Sequence, residues 1–461
     1  MTSFSAYASN SMVVIAYFFL RSMPSTAQEA PLIIPLRREV DPVRHEGKLV
    51  SFKTSYSGLM HVGNPPKEFR VVFDTGSGHV VVPSSKCIDP ACVKKKTYDL
   101  EESITGQHTN INGMPVFPGN KGDEISIGYG KGEVRGELAR DKICLGAAPD
   151  EEEGEEVNNE HCVYAGLVMA NNMSSDPFEN FTFDAIFGLG LESLAVSGQF
   201  SFLRNLARQQ GDGGLGSFHF GVFLAEGDDE EESEIAFGGH NPAHLLEPLT
   251  WVPLAKPELG YWMVEVLGIF VDDRRLDICN TGNCTGILDT GTSHLGLPPN
   301  DVGTVSDLLV RPAGSISDCR QIAAPVVKIE LQGYNLTMLP ENYMRRLPLP
   351  AELLSGNSSL VLDNSSAAGT REARSPEMEC TPKLMSINLP MLGPNAFLLG
   401  EPALHRYYTA YDAQSWRAGF GLAARRKRAP TPEEQNAVIT DEILLMQMQG
   451  NRLPIMKKVK K

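Results

Sequence analysis

The chain has 461 residues, more than one hydrophobic core usually fills, so two lobes are expected. Its 42% hydrophobic content, with 43 glycines and 31 prolines, suits a loop-rich β protein better than a helical one. The formal net charge of −16 implies no phosphate-neutralising surface, which argues against a nucleic-acid partner and fits a soluble protein able to work in acid.

The first element is the apolar run Met12–Leu20, followed by Ser25-Thr26-Ala27. Nine residues are too few to span a bilayer, and small residues stand where a signal peptidase cuts, so a secretory signal ending at Ala27 is expected. Pro31 to Lys48 is basic and Pro-broken. It is either a linker or a prosegment whose Arg37, Arg38, Arg44 or Lys48 lies over an acidic cleft. From Leu49, alternation and β-branched residues dominate, and SYSGLMHVG and EFRVVFD form an expected strand pair around the turn Gly63-Asn64-Pro65-Pro66.

The second of those strands ends in DTGSGHVVVPS, Asp74 to Ser84, a segment that returns as DTGTSHLGLPP, Asp289 to Pro299. A single Asp-Thr-Gly is weak evidence, because Asp and Gly are ordinary turn residues. Here each copy follows an apolar run, and each is followed at a matched distance by an apolar-apolar-Gly segment. Gly188 lies 114 residues after Asp74, and Gly400 lies 111 after Asp289. The chain is therefore a divergent tandem repeat, and each half presents one carboxylate at a strand end.

Between the copies, Glu124 to Gly146 is a strand pattern interrupted by Gly128, Gly130 and Gly132 around Tyr129. A Gly-flanked aromatic at a hairpin tip is a candidate mobile lid, since glycine permits the turn while the ring excludes water. The acidic runs starting at Asp150 and Asp228 are expected to be solvated loops. Phe200 to Gly211 is the clearest short helix, with little else helical. After Ala424, RRKR at Arg425–Arg428 opens a tail with nine Lys/Arg and four Asp/Glu, expected to be a disordered extension. Nothing in that tail is long or apolar enough to span a membrane.

All eight cysteines can be paired: Cys87 with Cys92 and Cys279 with Cys284 in small loops, Cys319 with Cys380 and Cys144 with Cys162 in larger ones. Spacing alone leaves the connectivity open. No CxxC pair suggests a metal site, so no metal or other cofactor is expected and the cysteines act as staples in an oxidising compartment. Sequons at Asn172, Asn180, Asn283, Asn335, Asn357 and Asn364 fit the same secretory route.

Taken together, both DTG segments, the Tyr129 hairpin, FDAIFGLG, FLLGEPALHRYYTAYD, GGHNP, LTWVP, GYW and the two short cysteine loops resemble the pepsin-like aspartic proteases, over about Ser51 to Ala424. The resemblance implies an all-β, bilobal fold with a catalytic cleft between two related β lobes and a few short helices. The expected division is a signal peptide (1–27), a prosegment-like basic segment (28–50), an N-terminal β lobe with the first Asp and the flap (51–240), a C-terminal β lobe with the second Asp (241–424) and the basic tail (425–461). It further implies that Thr75 and Thr290 cross-brace the two loops, that Gly76 and Gly291 contact substrate backbone, and that Tyr129, with Gly130 and Lys131, caps the cleft as the flap. Ser77 and Thr292 would hydrogen-bond the outer oxygens of the two carboxylates.

Hydrolysing a peptide without a metal or a Ser/Cys nucleophile needs one group to take a proton from water and another to give one to the carbonyl oxygen. Two close carboxylates do both, because they cannot both ionise cheaply and so share a proton. Asp74 and Asp289 are the expected pair. The expected partner is a protein or peptide bound extended in the cleft of a monomer. A catalytically silent peptide-binding protein on the same scaffold is the alternative, and the two complete DTG segments argue against it. Three residues depart from the family pattern. Val81 stands where an aromatic usually holds the flap tyrosine, His79 replaces a small amide, and Lys131 replaces a small hydroxyl residue on the flap, which predicts a preference for acidic or polar substrate residues.

Overall fold

The computed structural model describes residues 30–45, 48–130, 132–146, 161–210, 219–227, 229, 231–280, 282–350 and 377–426. The expected signal, Lys131, the acidic run from Asp150, the sequons at Asn357 and Asn364 and the tail beyond Arg426 lie outside them. Within the described residues the protein is mostly strand, as the composition and the resemblance lead one to expect.

One sheet of 14 strands and one of 8 account for most of the strands among the described residues. The expected hairpin is formed by Lys48–Val62 and Lys67–Asp74, with Ser57 opposite Val72 and Val62 opposite Lys67. The run VVF is buried on both faces, with Val71 and Phe73 in one apolar cluster and Val72 in another, and Lys67–Asp74 is interior to the sheet because it also takes a parallel neighbour, Ala185–Gly188. Burial on both faces is why this strand end reads as a continuous apolar run, whereas Val134 and Leu138 on Gly132–Leu145 alternate with outward Glu133, Arg135 and Glu137.

The seam between the halves is itself a sheet. Tyr407–Asp412 and Arg417–Leu422, from the end of the chain, pair with each other, and the first of them pairs with His219–Phe223. His219–Phe223 pairs in turn with Ser233–Phe237, which pairs with Leu32–Leu36. Apolar side chains from both halves meet there: Phe220 stacks on Tyr411 at 4.6 Å, and Trp262, fully buried, meets both rings edge-on.

The basic N-terminal segment runs as the strand Leu32–His45. Its first five residues pair with Ser233–Phe237, and Arg37 to His45 pair with Lys48–Val62, so it is built into the sheet with Ile34 and Leu36 in the core. Arg37 lies 3.6 Å from Glu39, and Arg38 faces Tyr56, so an ion pair and a phenol are what these two arginines meet.

Two expectations about local structure change. Beside the expected helix, observed as Phe202–Gln210, there is an 11-residue helix Pro299–Leu309. Its Pro-Pro start, Gly303 and β-branched residues hide a face of Val302, Val305 and Leu309, although Pro299 is well placed at a first helical position. The acidic run after Asp228 is not simply a solvated loop either. Asp229 receives Arg425 at 3.1 Å, Glu231 receives Arg426 at 3.1 Å, and Glu234 lies buried in a strand 3.3 Å from His244. All four cysteine pairs are disulfides: Cys87–Cys92, Cys144–Cys162, Cys279–Cys284 and Cys319–Cys380. Cys144 and Cys162 face each other on adjacent antiparallel strands.

Candidate active site

The two repeats deliver their carboxyls by the same construction. Asp74 ends a strand paired in parallel with Ala185–Gly188, and Asp289 follows Cys284–Leu288, paired in parallel with Ala396–Leu399. The repeated glycines find their reason here. A Cβ on Gly188 would lie 2.4 Å from the His79 nitrogen, and one on Gly400 would lie 2.2 Å from the Thr292 oxygen. Only a residue without a side chain lets each of these segments pack against the turn that follows the Asp-Thr-Gly of its own half.

At the bottom of the cleft the two turns hold each other. The Thr75 N–H donates to Thr290 Oγ1 at 3.1 Å and the Thr290 N–H donates to Thr75 Oγ1 at 3.0 Å. Each hydroxyl then donates across the axis, Thr75 to the Leu288 carbonyl at 2.7 Å and Thr290 to the Phe73 carbonyl at 2.6 Å. Those carbonyls belong to the residue before each Asp, so the brace fixes where both carboxyls start. Burial makes it strong, since a hydrogen bond left unmade inside costs more than one made in water returns.

The carboxyls are almost buried, 8% exposed each, and lie within hydrogen-bonding contact of one another. Their inner oxygens each accept a main-chain N–H, from Gly76 to Asp74 at 2.9 Å and from Gly291 to Asp289 at 2.8 Å. The outer oxygen of Asp289 accepts Thr292 Oγ1 at 2.6 Å. Ser77, at the matching place beside Asp74, is close enough to influence both Asp74 and the Tyr129 hydroxyl, but its Oγ makes no well-aligned bond among the described residues. Burial pushes the Asp74 carboxyl up, and the neighbouring Asp289 charge pushes it further, against the nearby Ser77 hydroxyl and the Gly76 N–H. Burial also raises Asp289, opposed by Thr292 and Gly291. Such a pair holds one proton between its members and titrates as a unit.

Gly76 and Gly291 are needed for this approach. A Cβ on Gly291 would lie 2.6 Å from Asp74 Oδ1, and one on Gly76 would lie 2.9 Å from the Asp289 carboxyl. Gly291→Ala is therefore expected to push the carboxyls apart and lower kcat by about 10²-fold in a folded protein, a loss typical of sub-ångström to ångström misplacement. Steady-state kinetics beside a thermal melt would check it, and unchanged kcat would contradict it.

Over the carboxyls, Glu124–Tyr129 and Gly132–Leu145 form the expected hairpin, with Tyr129 opposite Gly132 at the tip and Gly130 at a φ of 49°. The Tyr129 ring meets Phe178 edge-on at 5.7 Å and packs on an apolar cluster that includes Val72, Val81 and Ile186. Its buried hydroxyl has no well-aligned partner among the described residues, and Val81 in the same apolar cluster offers only methyl groups. Phe178 is the flap contact that sequence reasoning missed. It belongs to a run of three aromatics, Phe178, Phe181 and Phe183, ahead of Asp184, and that spacing was the available signal.

His79 has a structural task. Its Nε2 accepts the Val196 N–H at 2.8 Å, and burial lowers its pKa to about 4, so the ring stays neutral in mild acid. Tyr261, of the GYW segment, is raised by burial and by the charges of Asp289 and Asp74, which puts it at the same cleft.

The family model for eukaryotic aspartyl protease matches residues 55–348. The chain is 26% identical over 382 residues to a renin of Echis ocellatus, covering 81% of this chain and 82% of that one. It is 26% identical over 378 residues to plasmepsin VI of Plasmodium berghei (strain Anka), with 80% and 75% covered, and 27% identical over 375 residues to cathepsin E of Mus musculus, with 80% of each covered. Two cross-braced Asp-Thr-Gly turns beneath a tyrosine-tipped hairpin, on an all-β frame, belong with those matches: the chain is a member of the eukaryotic aspartyl protease family, an aspartic-type endopeptidase of pepsin-like fold.

Proposed function

We propose that Asp74 and Asp289 are the catalytic dyad and cleave peptide bonds by activating water, with no covalent intermediate. The observation that carries this is the pair of mutually contacting, nearly buried carboxyls, each tied to the N–H of its own glycine and anchored by the threonine brace. The ionised member takes a proton from water, and the oxygen attacks the substrate carbonyl carbon. The protonated member gives its proton to the carbonyl oxygen, so the tetrahedral intermediate is a neutral gem-diol and no acyl-enzyme forms. A proton then reaches the leaving nitrogen, the C–N bond breaks, and the dyad is left with one proton again.

The substrate is a peptide segment lying extended as an added strand, with Gly130 and the main chain of Gly76 and Gly291 beside its backbone and Tyr129 closing over it. The lobes carrying the two aspartates are residues 51–240 and 241–424, and the working unit is a monomer. Four disulfides fit passage through an oxidising, secretory compartment. The described sequons, Asn172, Asn180, Asn283 and Asn335, are all exposed and can carry glycans there.

The test is an acid digest of a denatured protein, with and without a statine-type peptide whose tetrahedral hydroxyl mimics the gem-diol. Cleavage abolished by the analogue and untouched by a serine- or cysteine-directed acylating reagent is expected. Cleavage that survives saturating analogue would overturn the mechanism.

A further inference from the structure

Next to the Asp289 turn lies a cluster of buried charge centred on His405. Its Nδ1 is 3.2 Å from Glu226 Oε1, and its Nε2 is 3.1 Å from Glu401 Oε1 and in contact with the Tyr56 hydroxyl. That hydroxyl donates its own proton to the Ala225 carbonyl at 3.0 Å, so it accepts from the imidazole. Both ring nitrogens thus face acceptors only. A neutral imidazole has one N–H and serves one side, whereas the imidazolium has two and serves both.

The carboxylates need that charge. Glu401 is 3% exposed, and neither of its oxygens has a well-aligned hydrogen bond among the described residues. Its charge is met by His405 and by Lys383, 3.7 Å away, with Arg38 more distant. Burial pushes Glu401 up, yet Lys383 and His405 reverse the direction and hold it below its ordinary value. Burial also pushes Glu226 up, and His405, Arg425 and Lys383 overcome it and bring it down to about 2. The remaining charged or titratable neighbours are Arg320, 4.0 Å from Glu226, Asp229, which takes Arg425, and His294 beside Lys383 and Glu401.

Two straps run from this cluster to the Asp289 turn. The Glu401 N–H donates to the Thr292 carbonyl at 2.9 Å, and Thr292 Oγ1 holds the outer oxygen of Asp289. The Leu295 N–H, further along the same turn, donates to the carbonyl of Lys383 at 2.9 Å, the other cation of Glu401. Gly400 leaves no slack in the first strap, since a Cβ there would meet the Thr292 oxygen at 2.2 Å.

We propose that His405 is a positioning residue for peptide hydrolysis: by bridging Glu226 and Glu401 it fixes Glu401 and Lys383, and through their main-chain bonds it sets the outer oxygen of Asp289. This rests on the dyad reading above. Losing the His405 charge leaves a buried carboxylate with one cation, and the relief is movement of the Glu401–Leu404 helical turn, which carries the Asp289 turn with it. The flap and Gly76 are not touched, so the loss falls on kcat more than on KM.

The experiment compares wild type, His405→Gln, His405→Arg, Glu401→Gln and the Glu401→Gln/His405→Gln double variant in kcat, KM and Tm between pH 4 and 7. His405→Gln is expected to lower kcat at least fivefold with KM within about twofold, and His405→Arg, which keeps a cation with several N–H donors, to recover most of it. With Glu401 already neutral, His405→Gln should cost little more, a clear non-additivity. Unchanged kcat in His405→Gln, no recovery in His405→Arg, or additive effects in the double variant would each overturn the proposal. If His405→Gln does not fold, Glu401→Gln and His405→Arg decide it, with kcat expected to fall at unchanged KM in the first and to stay near wild type in the second. The same Tm coupling measured in an Asp289→Asn background does not depend on catalysis, so it separates failure of this link from failure of the dyad reading.

Discussion

Asp74→Asn and Asp289→Asn should each lower kcat by about 10⁴-fold or more while raising stability at neutral pH. The loss follows from removing one half of a unit that must both accept and donate a proton. An amide accepts none at working pH, and members of such a unit fail together. The gain in stability comes from linkage. Both carboxyls are raised in the folded state, chiefly by burial, above the unfolded value of about 3.9. A raised carboxyl contributes stability that is fully present below the unfolded value and is lost as pH rises toward the folded one, because the unfolded chain releases its proton first. From about pH 4 toward neutrality the wild-type dyad therefore destabilises the fold increasingly, and an Asn at either place removes that penalty. Melting curves at pH 4 and pH 7 would show wild type and variant close in acid and the variant higher at neutrality. A variant that is inactive and also less stable at pH 7 would mean that the geometry had collapsed and that the activity loss says nothing about the dyad.

Trp262→Ala should be the most destabilising single change in the seam, at about 3–5 kcal/mol. Trp262 is fully buried, its Nε1–H donates to the Leu189 carbonyl at 2.7 Å, and its ring meets Phe220 and Tyr411 at 5.7 and 5.1 Å. Truncation leaves a large cavity and an unpaired carbonyl together. Trp262→Phe keeps most of the packing and loses only the N–H, so about 1–3 kcal/mol is expected for it. Activity should fall with stability in the Ala variant, because the main chain on either side of this ring leads directly to the dyad. The Leu189 N–H donates to the Asp74 carbonyl, and the Leu288 N–H, one residue before Asp289, donates to the Trp262 carbonyl. Denaturant unfolding of the three proteins would rank them, and equal midpoints would contradict the role assigned to the seam.

Much of the fold and site was visible in the sequence because repetition leaves local traces. Asp74 and Asp289 stand out through paired spacing, and Gly188 and Gly400 are matched partners of their turns for one steric reason. The Tyr129 hairpin carries its own glycine pattern. What could not be seen depends on contacts between distant segments. Phe178 reaches Tyr129 from a loop whose path nothing local dictates. The helix Pro299–Leu309 has poor intrinsic propensity and is stabilised by packing of Val305 and Leu309. Arg425 appears in the sequence as the start of a tail, and only the fold brings Asp229 to it from 196 positions earlier. His405, inside a segment recognised for its resemblance, gave no hint that it sits between two glutamates.

The strand Leu32–His45 changes neighbours partway along, from Ser233–Phe237 to Lys48–Val62. A molecule that began after Leu36 would expose the freed edge of Ser233–Phe237, with the places of Ile34 and Leu36 empty behind it. Such an edge is a template for another strand. In a concentrated sample two such edges can pair with each other, so a shortened enzyme would be prone to edge-to-edge association. The strand Leu32–Leu36 thus bears on how many molecules share one sheet.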